Sequence, residues 1–199
     1  PLKENVIDYS GSDLATSNIN GIFTGESCYL NGNASIYVPI SLPDNGTISL
    51  VYNPETFFDY NTLWDNTVNA DDWECWIYAT GIIRARINTA IVSKTLSTAG
   101  IPYHIAFTWE KTGNITLYVD GVMAQTAAIT AWVAPGNLYI GGHYGNDYGE
   151  GNASMFKIFN RALTAEEVAI EADILNSEKK MKIHKNGTLY IAGDIHEGL

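Results

Sequence analysis

Residues 103–121 read YHIAFTWEKTGNITLYVDG, and the fold turns on how this stretch is read. Tyr103, Ile105, Phe107 and Trp109 alternate with His104, Ala106 and Thr108. Beyond it, Ile115, Leu117 and Val119 alternate with Thr116 and Tyr118. Alternation at period two marks half-buried antiparallel strands. Lys111-Thr112-Gly113-Asn114 has the residue types of the turn between the two arms, and Asp120-Gly121 those of a second turn into a strand over 122–126. Two hairpins with one shared apolar face need a second sheet to cover that face. Trp109, on the apolar side, is expected in the core.

Trp73 to Asn88 reads as a second hairpin, turning near Ala79-Thr80-Gly81. If Tyr78 faces Ile82, then Trp76 faces Arg84 and Glu74 faces Arg86. One side then carries Trp73, Cys75, Ile77, Ile83, Ala85 and Ile87, the composition of a core. The other carries Glu74, Trp76, Tyr78, Arg84, Arg86 and Asn88, with Trp76 expected on an open face. Across that face the pairing predicts a cation–π contact between Trp76 and Arg84 and an ion pair between Glu74 and Arg86.

Shorter strands are expected over 21–30 and 34–40, around Asn31-Gly32-Asn33, and over 47–52, 62–64, 138–141 and 154–159, with one short edge strand before residue 20. Thr164-Ala165-Glu166-Glu167 is a capping box and predicts a helix from there to about Leu175. The charge pattern changes at Ser177. Beyond it, Met181–His184 and Thr188–Ala192 flank Lys185-Asn186-Gly187, a hairpin signal with too little apolar area to fold alone. The expected organisation is a domain over 1–176 and a tail over 177–199 that packs on the sandwich or pairs with another chain.

Composition narrows the function classes. The chain has 199 residues, 46% of them hydrophobic, which suits a globular β domain with a sizeable core. Its net charge of −11 disfavours nucleic acid and anionic membranes as partners. No run is long enough to insert into a membrane as a helix. Its two cysteines, Cys28 and Cys75, are too few for a disulfide framework. They are read as two buried thiols, with one bridge as the alternative. Asn-x-Ser/Thr sequons at Asn33, Asn45, Asn114, Asn152 and Asn186 matter only in a secretory eukaryotic setting.

An ordered set of motifs runs through the chain. It comprises Asp8-Tyr9-Ser10-Gly11, Phe23-Thr24-Gly25, Leu30-Asn31-Gly32, His104-Ile105-Ala106, Gly113-Asn114-Ile115, Leu117-Tyr118-Val119-Asp120-Gly121, Leu138-Tyr139-Ile140-Gly141 and Phe159-Asn160-Arg161-Ala162-Leu163-Thr164. Over residues 5–175 this resembles the laminin-G-like, concanavalin A-like jelly-roll family. The resemblance implies an all-β, two-sheet antiparallel jelly-roll sandwich with one short helix. It implies less about function, because the fold hosts lectins, adhesion modules, glycosidases and spacers. The tail, ending Gly-Asp-Ile-His-Glu, has a short similarity to bacteriophage tail and fibre proteins. The implied settings are the extracellular space, a cell surface or a virion.

Sugars are held by an aromatic platform with carboxylates, amides and arginines around the hydroxyls. Glu74, Trp76, Tyr78, Arg84, Arg86 and Asn88 offer these groups together. A second candidate is the Gly-rich loop over 142–150, with Tyr144, Asn146, Asp147 and Tyr148. A third is the aromatic stretch Phe57-Phe58-Asp59-Tyr60 up to Trp64-Asp65.

The resemblance also brings in calcium, which takes six to eight oxygens. The oxygen-rich stretches are Asp8, Ser10 and Asp13; Asp71-Asp72; and Asn146-Asp147 with Glu150. Where the family usually has an acidic pair, this chain has Ala153-Ser154-Met155, and Asn31 stands where an Asp is common. Both departures remove carboxylates. His143 with Asp147 is a poor metal pair.

Catalysis is not expected. The glucanase strand pattern Glu-x-Asp-x-x-Glu is absent, and Asp72, Glu74 and Glu150 do not form a spaced acid and base. G-x-S-x-G is also absent. The expected function is a non-catalytic carbohydrate-recognition or adhesion module. A structural module assembling through the tail, as a homo-oligomer or within a larger particle, is the alternative, and a glycosidase is a third reading.

Overall fold

A computed structural model describes residues 17–19, 22–24, 27–32, 35–38, 42–66, 73–132, 136–142, 148–183 and 189–191. In chain order the strands are β1 (Ser17–Ile19), β2 (Ile22–Thr24), β3 (Ser27–Asn31), β4 (Ser35–Val38), β5 (Asn45–Pro54), β6 (Asn61–Asn66), β7 (Trp73–Ile77) and β8 (Ile82–Ile87). They continue as β9 (Ala90–Thr95), β10 (Tyr103–Glu110), β11 (Asn114–Val119), β12 (Val122–Ala128), β13 (Leu138–Ile140) and β14 (Glu150–Phe159). Helix α1 (Ala165–Lys180) and the pair β15 (Met181–Ile183) and β16 (Leu189–Ile191) follow.

The first fourteen strands form two antiparallel sheets. One runs β1-β4-β13-β6-β7-β8-β9 and the other β12-β11-β10-β5-β14-β3-β2. This is the two-sheet jelly roll implied by the motifs. The central hairpin forms as expected and pairs Phe107 with Leu117 and Trp109 with Ile115. Asp120 and Gly121 both have positive φ, the geometry that a two-residue turn between twisted strands requires.

The core lies between the sheets. Ile48, Leu50, Tyr52, Ile105, Phe107, Trp109, Ile115 and Leu117 face Trp64, Trp73, Cys75, Ile77, Ile83, Ala85, Ile87 and Val92. Trp109 is fully buried, stands edge-on to Trp73 at 5.2 Å, and donates its indole N–H to the Pro43 carbonyl at 3.0 Å. Cys75 is a buried free thiol whose pKa is pushed well up by desolvation and by the neighbouring Glu74 carboxylate. Cys28 sits on β3 opposite Ala153 of β14.

The strand reading needs correction in one respect. β10 is buried on both sides, with His104, Ala106 and Thr108 as enclosed as the core residues. The cover is the segment after β14: Leu163 and Val168 pack with Phe159 on Ala106 and Tyr118. His104 Nε2 lies 2.9 Å from the Ser49 hydroxyl of β5, so the buried ring has a polar neighbour on its own sheet.

Helix α1 opens with the predicted capping box. The Glu167 N–H donates to the Thr164 hydroxyl, and the Thr164 N–H donates to the Glu167 carboxylate. The helix runs past the expected end near Leu175 to Lys180. Strand β9 was not anticipated. It continues the hairpin ladder beyond Asn88-Thr89 and ends its sheet. Its edge meets the edge of the other sheet, where Gln125 Oε1 accepts from the Ser93 N–H at 2.7 Å. That bond occupies an edge donor which another strand could otherwise use.

Candidate functional site

Strands β7 and β8 pair in the predicted register, Glu74 with Arg86, Trp76 with Arg84 and Ile77 with Ile83. The Tyr78 N–H donates to the Ile82 carbonyl and closes the turn. Cys75, Ile77, Ile83 and Ala85 therefore point into the sandwich, and Glu74, Trp76, Arg84 and Arg86 point out of it. Neighbouring strands extend this outer row. Asp65 of β6 lies opposite Glu74, and Tyr139 of β13 lies between Asp65 and Tyr37 of β4. The Tyr37 and Tyr139 rings are 5.1 Å apart.

Trp76 points outward as the alternation requires, but it is only 5% exposed. Its own neighbours close over it. The Arg86 guanidinium lies 5.2 Å from its ring, the Arg84 guanidinium 5.8 Å, and the Tyr78 ring 5.8 Å. The face is not open at Trp76, because two guanidiniums and the Tyr78 ring stand over the indole. Glu74 forms an ion pair with Arg86. The accessible aromatic surface lies one step along, at the hairpin end.

There the third candidate stretch joins the first. Tyr60 is 50% exposed, and its ring lies 6.0 Å from Tyr78. Asp59 accepts from the Ala79 N–H at 3.0 Å and ties the 54–60 loop to the hairpin turn. Phe57 packs against Gly81, where an added Cβ would stand 2.8 Å from the phenyl ring. Tyr60 itself has φ of +62°, a conformation a non-glycine residue holds at a cost. Arg84 completes the group. It donates to the Tyr78 hydroxyl at 2.9 Å and lies 5.0 Å from the Tyr78 ring.

The base of the second candidate loop reaches the same end of β6. The Glu150 N–H donates to the Asn61 side chain at 3.1 Å, and a Cβ on Gly149 would meet the Thr62 carbonyl. Half-buried Tyr148 adjoins this base. Tyr144, Asn146 and Asp147 lie outside the described residues, as do His143, Asp71, Asp72, Asp8, Ser10 and Asp13. Asn88 stands apart from the group, in the β8–β9 turn with φ of +51°. Tyr37 and Tyr139 were not anticipated on this face, and Asp65 comes to it from the third candidate stretch. The pattern Ile36-Tyr37-Val38 and Leu138-Tyr139-Ile140 carried the signal, since each tyrosine lies between two inward aliphatics.

Among the described residues no three His, Cys, Asp or Glu side chains gather to hold a metal, and the site gains no calcium ligand set from them. On the other sheet's outer face, a hollow of about 250 Å³ lies between Thr108, Glu110, Thr116, Tyr118 and Thr164. It offers hydroxyls and one carboxylate but no arginine.

The architecture defines a two-sheet antiparallel jelly-roll sandwich. The chain belongs to the concanavalin A-like lectin/glucanase superfamily, whose family model matches residues 28–169. No curated protein sequence matches the chain. Among solved structures it resembles botulinum neurotoxin type C, in a structure titled for cell entry dependent upon interaction with two ganglioside molecules. That likeness is 14% identical over 87% of this chain and 49% of the other, with a TM-score of 0.68. The binding domain of botulinum neurotoxin DC, in complex with rat synaptotagmin II, matches at 14% identity, 87% and 49% coverage and a TM-score of 0.69. Domain 4 of an extracellular GH43 arabinanase from Geobacillus stearothermophilus, in complex with arabinotriose, matches at 19% identity, 79% and 81% coverage and a TM-score of 0.62. The chain spans about half the length of the neurotoxin chains.

Proposed function

We propose that this chain is a non-catalytic carbohydrate-recognition or adhesion module acting outside the cell, and that saccharide docks at the Tyr60, Tyr78 and Arg84 end of the β7–β8 hairpin. The observation that carries the reading is the meeting of a half-exposed tyrosine pair with an arginine on the outer face of a lectin-type sheet. Tyrosine rings supply the flat apolar surface that a sugar's C–H face packs on, and the guanidinium supplies donors for its oxygens. The ganglioside and arabinotriose named for the relatives agree with a glycan ligand. The ion pair with Arg86 argues against Glu74 as a hydrolytic acid, because a neighbouring cation holds a carboxylate ionised. A phage or virion setting draws no support from these relatives.

The test is a glycan array with the full chain, followed by calorimetry on any hit with the Tyr60→Ala variant. Binding that falls about tenfold or more in the variant is expected. Failure of the full chain to bind any sugar class would refute the reading.

One observation favours a second reading. Strands β15 and β16 pair with each other and join neither large sheet. An isolated hairpin is marginal in water and gains stability by packing on a partner. A deletion of 181–199 that changes the sedimentation behaviour of the chain would support assembly through this tail; an unchanged oligomeric state would count against it.

A further inference from the structure

The chain carries 22 carboxylate residues against 11 lysines and arginines, so cations have acidic partners in excess. Four of the described arginines and lysines use them, and exposed Lys94 of β9 does not. Arg86 pairs with Glu74, Arg161 with Glu167, Lys111 with Asp44 and Lys157 with Glu171. Arg84 differs. Among the described residues it has no carboxylate partner, and its one hydrogen bond goes to the neutral Tyr78 hydroxyl. Its Nε is buried without an acceptor. A guanidinium desolvated by two aromatic rings and short of acceptors is held in the state an incoming anion rewards most.

The surroundings are mixed in charge, and that sharpens the argument. Asp65 and Glu74 lie along the outer row and Asp59 lies in the adjoining loop, so the field there is not generally positive. Glu74 is engaged by Arg86, and Asp59 by the Ala79 N–H. An anion attracted here answers to one guanidinium rather than to a basic patch. Such an anion needs a body that packs on Tyr60 and Tyr78 while its charge reaches Arg84. A sugar bearing a carboxylate or a sulfate meets both demands.

We infer that Arg84 makes this face selective for acidic saccharides, with Tyr78 and Tyr60 holding the ring that carries the acid group. The inference rests on the proposed carbohydrate reading and specifies its ligand class. The fork of a guanidinium suits a planar carboxylate, and a sulfate offers the same acceptor chemistry without the planar match.

The experiment uses matched pairs differing in the acid group alone. These are oligogalacturonate against its methyl ester, sialyllactose against its methyl ester, and dextran sulfate against dextran. Each is titrated into the full chain by calorimetry at low and at physiological salt. At least one acid member is expected to bind about tenfold or more tighter than its neutral partner, the gain of a charge-assisted hydrogen bond. The preference should shrink with added salt. In Arg84→Gln both members of a pair should weaken, the acid member by about tenfold or more beyond the neutral one so that the ratio falls to about one, and Arg84→Lys should keep part of the ratio. Far-UV circular dichroism and the urea midpoint establish that both variants are folded. Equal affinity for acid and neutral partners, or a preference that survives Arg84→Gln, overturns the acid selectivity and leaves the carbohydrate reading standing. No binding to any member of any pair overturns both.

Discussion

Gly46 holds no left-handed conformation, yet it has no room for a side chain. It lies opposite Trp109 in the β5–β10 ladder. A Cβ there would overlap indole Cζ2 and stand 2.7 Å from Cη2 and 2.9 Å from Cε2. Trp109 cannot yield easily, since it is fully buried, edge-on to Trp73 and bonded to the Pro43 carbonyl. Two effects oppose one another in Gly46→Ala. Reduced freedom of the unfolded chain stabilises by roughly 0.4–1 kcal/mol. Forcing the indole aside costs roughly 1–3 kcal/mol as overpacking, plus about 1 kcal/mol if the bond to Pro43 breaks. The net expectation is a loss of about 1–3 kcal/mol. The Trp109→Phe substitution removes the benzo atoms nearest the new methyl group, so Gly46→Ala should be neutral or slightly stabilising in that background. The coupling in this double-mutant cycle should then reach roughly 1–3 kcal/mol. Urea unfolding followed by far-UV circular dichroism measures all four proteins without relying on the deleted indole. A neutral Gly46→Ala in the native background, or an undiminished loss in the Trp109→Phe background, would refute the reasoning.

Trp109→Ala should cost roughly 3–5 kcal/mol in the same assay, as a deleted core aromatic. Trp76→Ala should approach it at about 3 kcal/mol, because the indole is covered despite facing outward; a loss below about 1 kcal/mol would show that the arginines do not seal it. Glu167 has its pKa lowered to about 2, first by the Arg161 guanidinium and then by the Thr164 N–H. Its folded value lies below the ordinary 4.5, so its contribution is complete above pH 4.5 and is lost as pH falls toward 2. Glu167→Gln should therefore flatten that part of the stability profile, and an unchanged acid limb in pH-dependent unfolding would count against the contacts of Glu167 with Arg161 and the Thr164 N–H as its source. Tyr60→Asn should leave stability within about 0.5 kcal/mol, since asparagine tolerates positive φ, while saccharide binding by calorimetry is lost.

Much of the fold was legible because alternation reports which side of a strand faces the partner sheet. Tyr103 to Trp109 and Ile115 to Val119 told the inner face directly, and the pairing of Trp76 with Arg84 followed from one assumed turn contact. Alternation does not report what lies on the other side. The outer side of β10 is closed by Leu163 and Val168, residues that arrive about sixty positions later in the chain. The outer side of β7 is closed at Trp76 by the guanidiniums of Arg84 and Arg86, so a tryptophan facing away from the core is still buried. The site was legible as separate stretches but not as a place. Bringing Tyr60 to Tyr78 depends on Asp59 reaching the Ala79 N–H, a contact between a loop and a turn that no periodicity encodes.

Tyr60 shows how the fold and the function part company. Its backbone sits at φ of +62°, where an L side chain costs roughly 1–2 kcal/mol and glycine or asparagine costs less. The Asp59 bond to Ala79 and the Thr62 hydroxyl bond to the Tyr60 carbonyl hold the loop in this shape through atoms that any residue at 60 would leave in place. The ring itself is half in water and contributes little burial in return. A residue that costs stability, is not needed for its own loop geometry and presents an aromatic face beside Tyr78 and Arg84 supports the proposed docking of saccharide there. Strain of this kind is evidence for function when it is observed first and explained second. The sandwich supplies the rigid base, and the strained loop sets a tyrosine at its rim, where a sugar ring can reach it without moving the core.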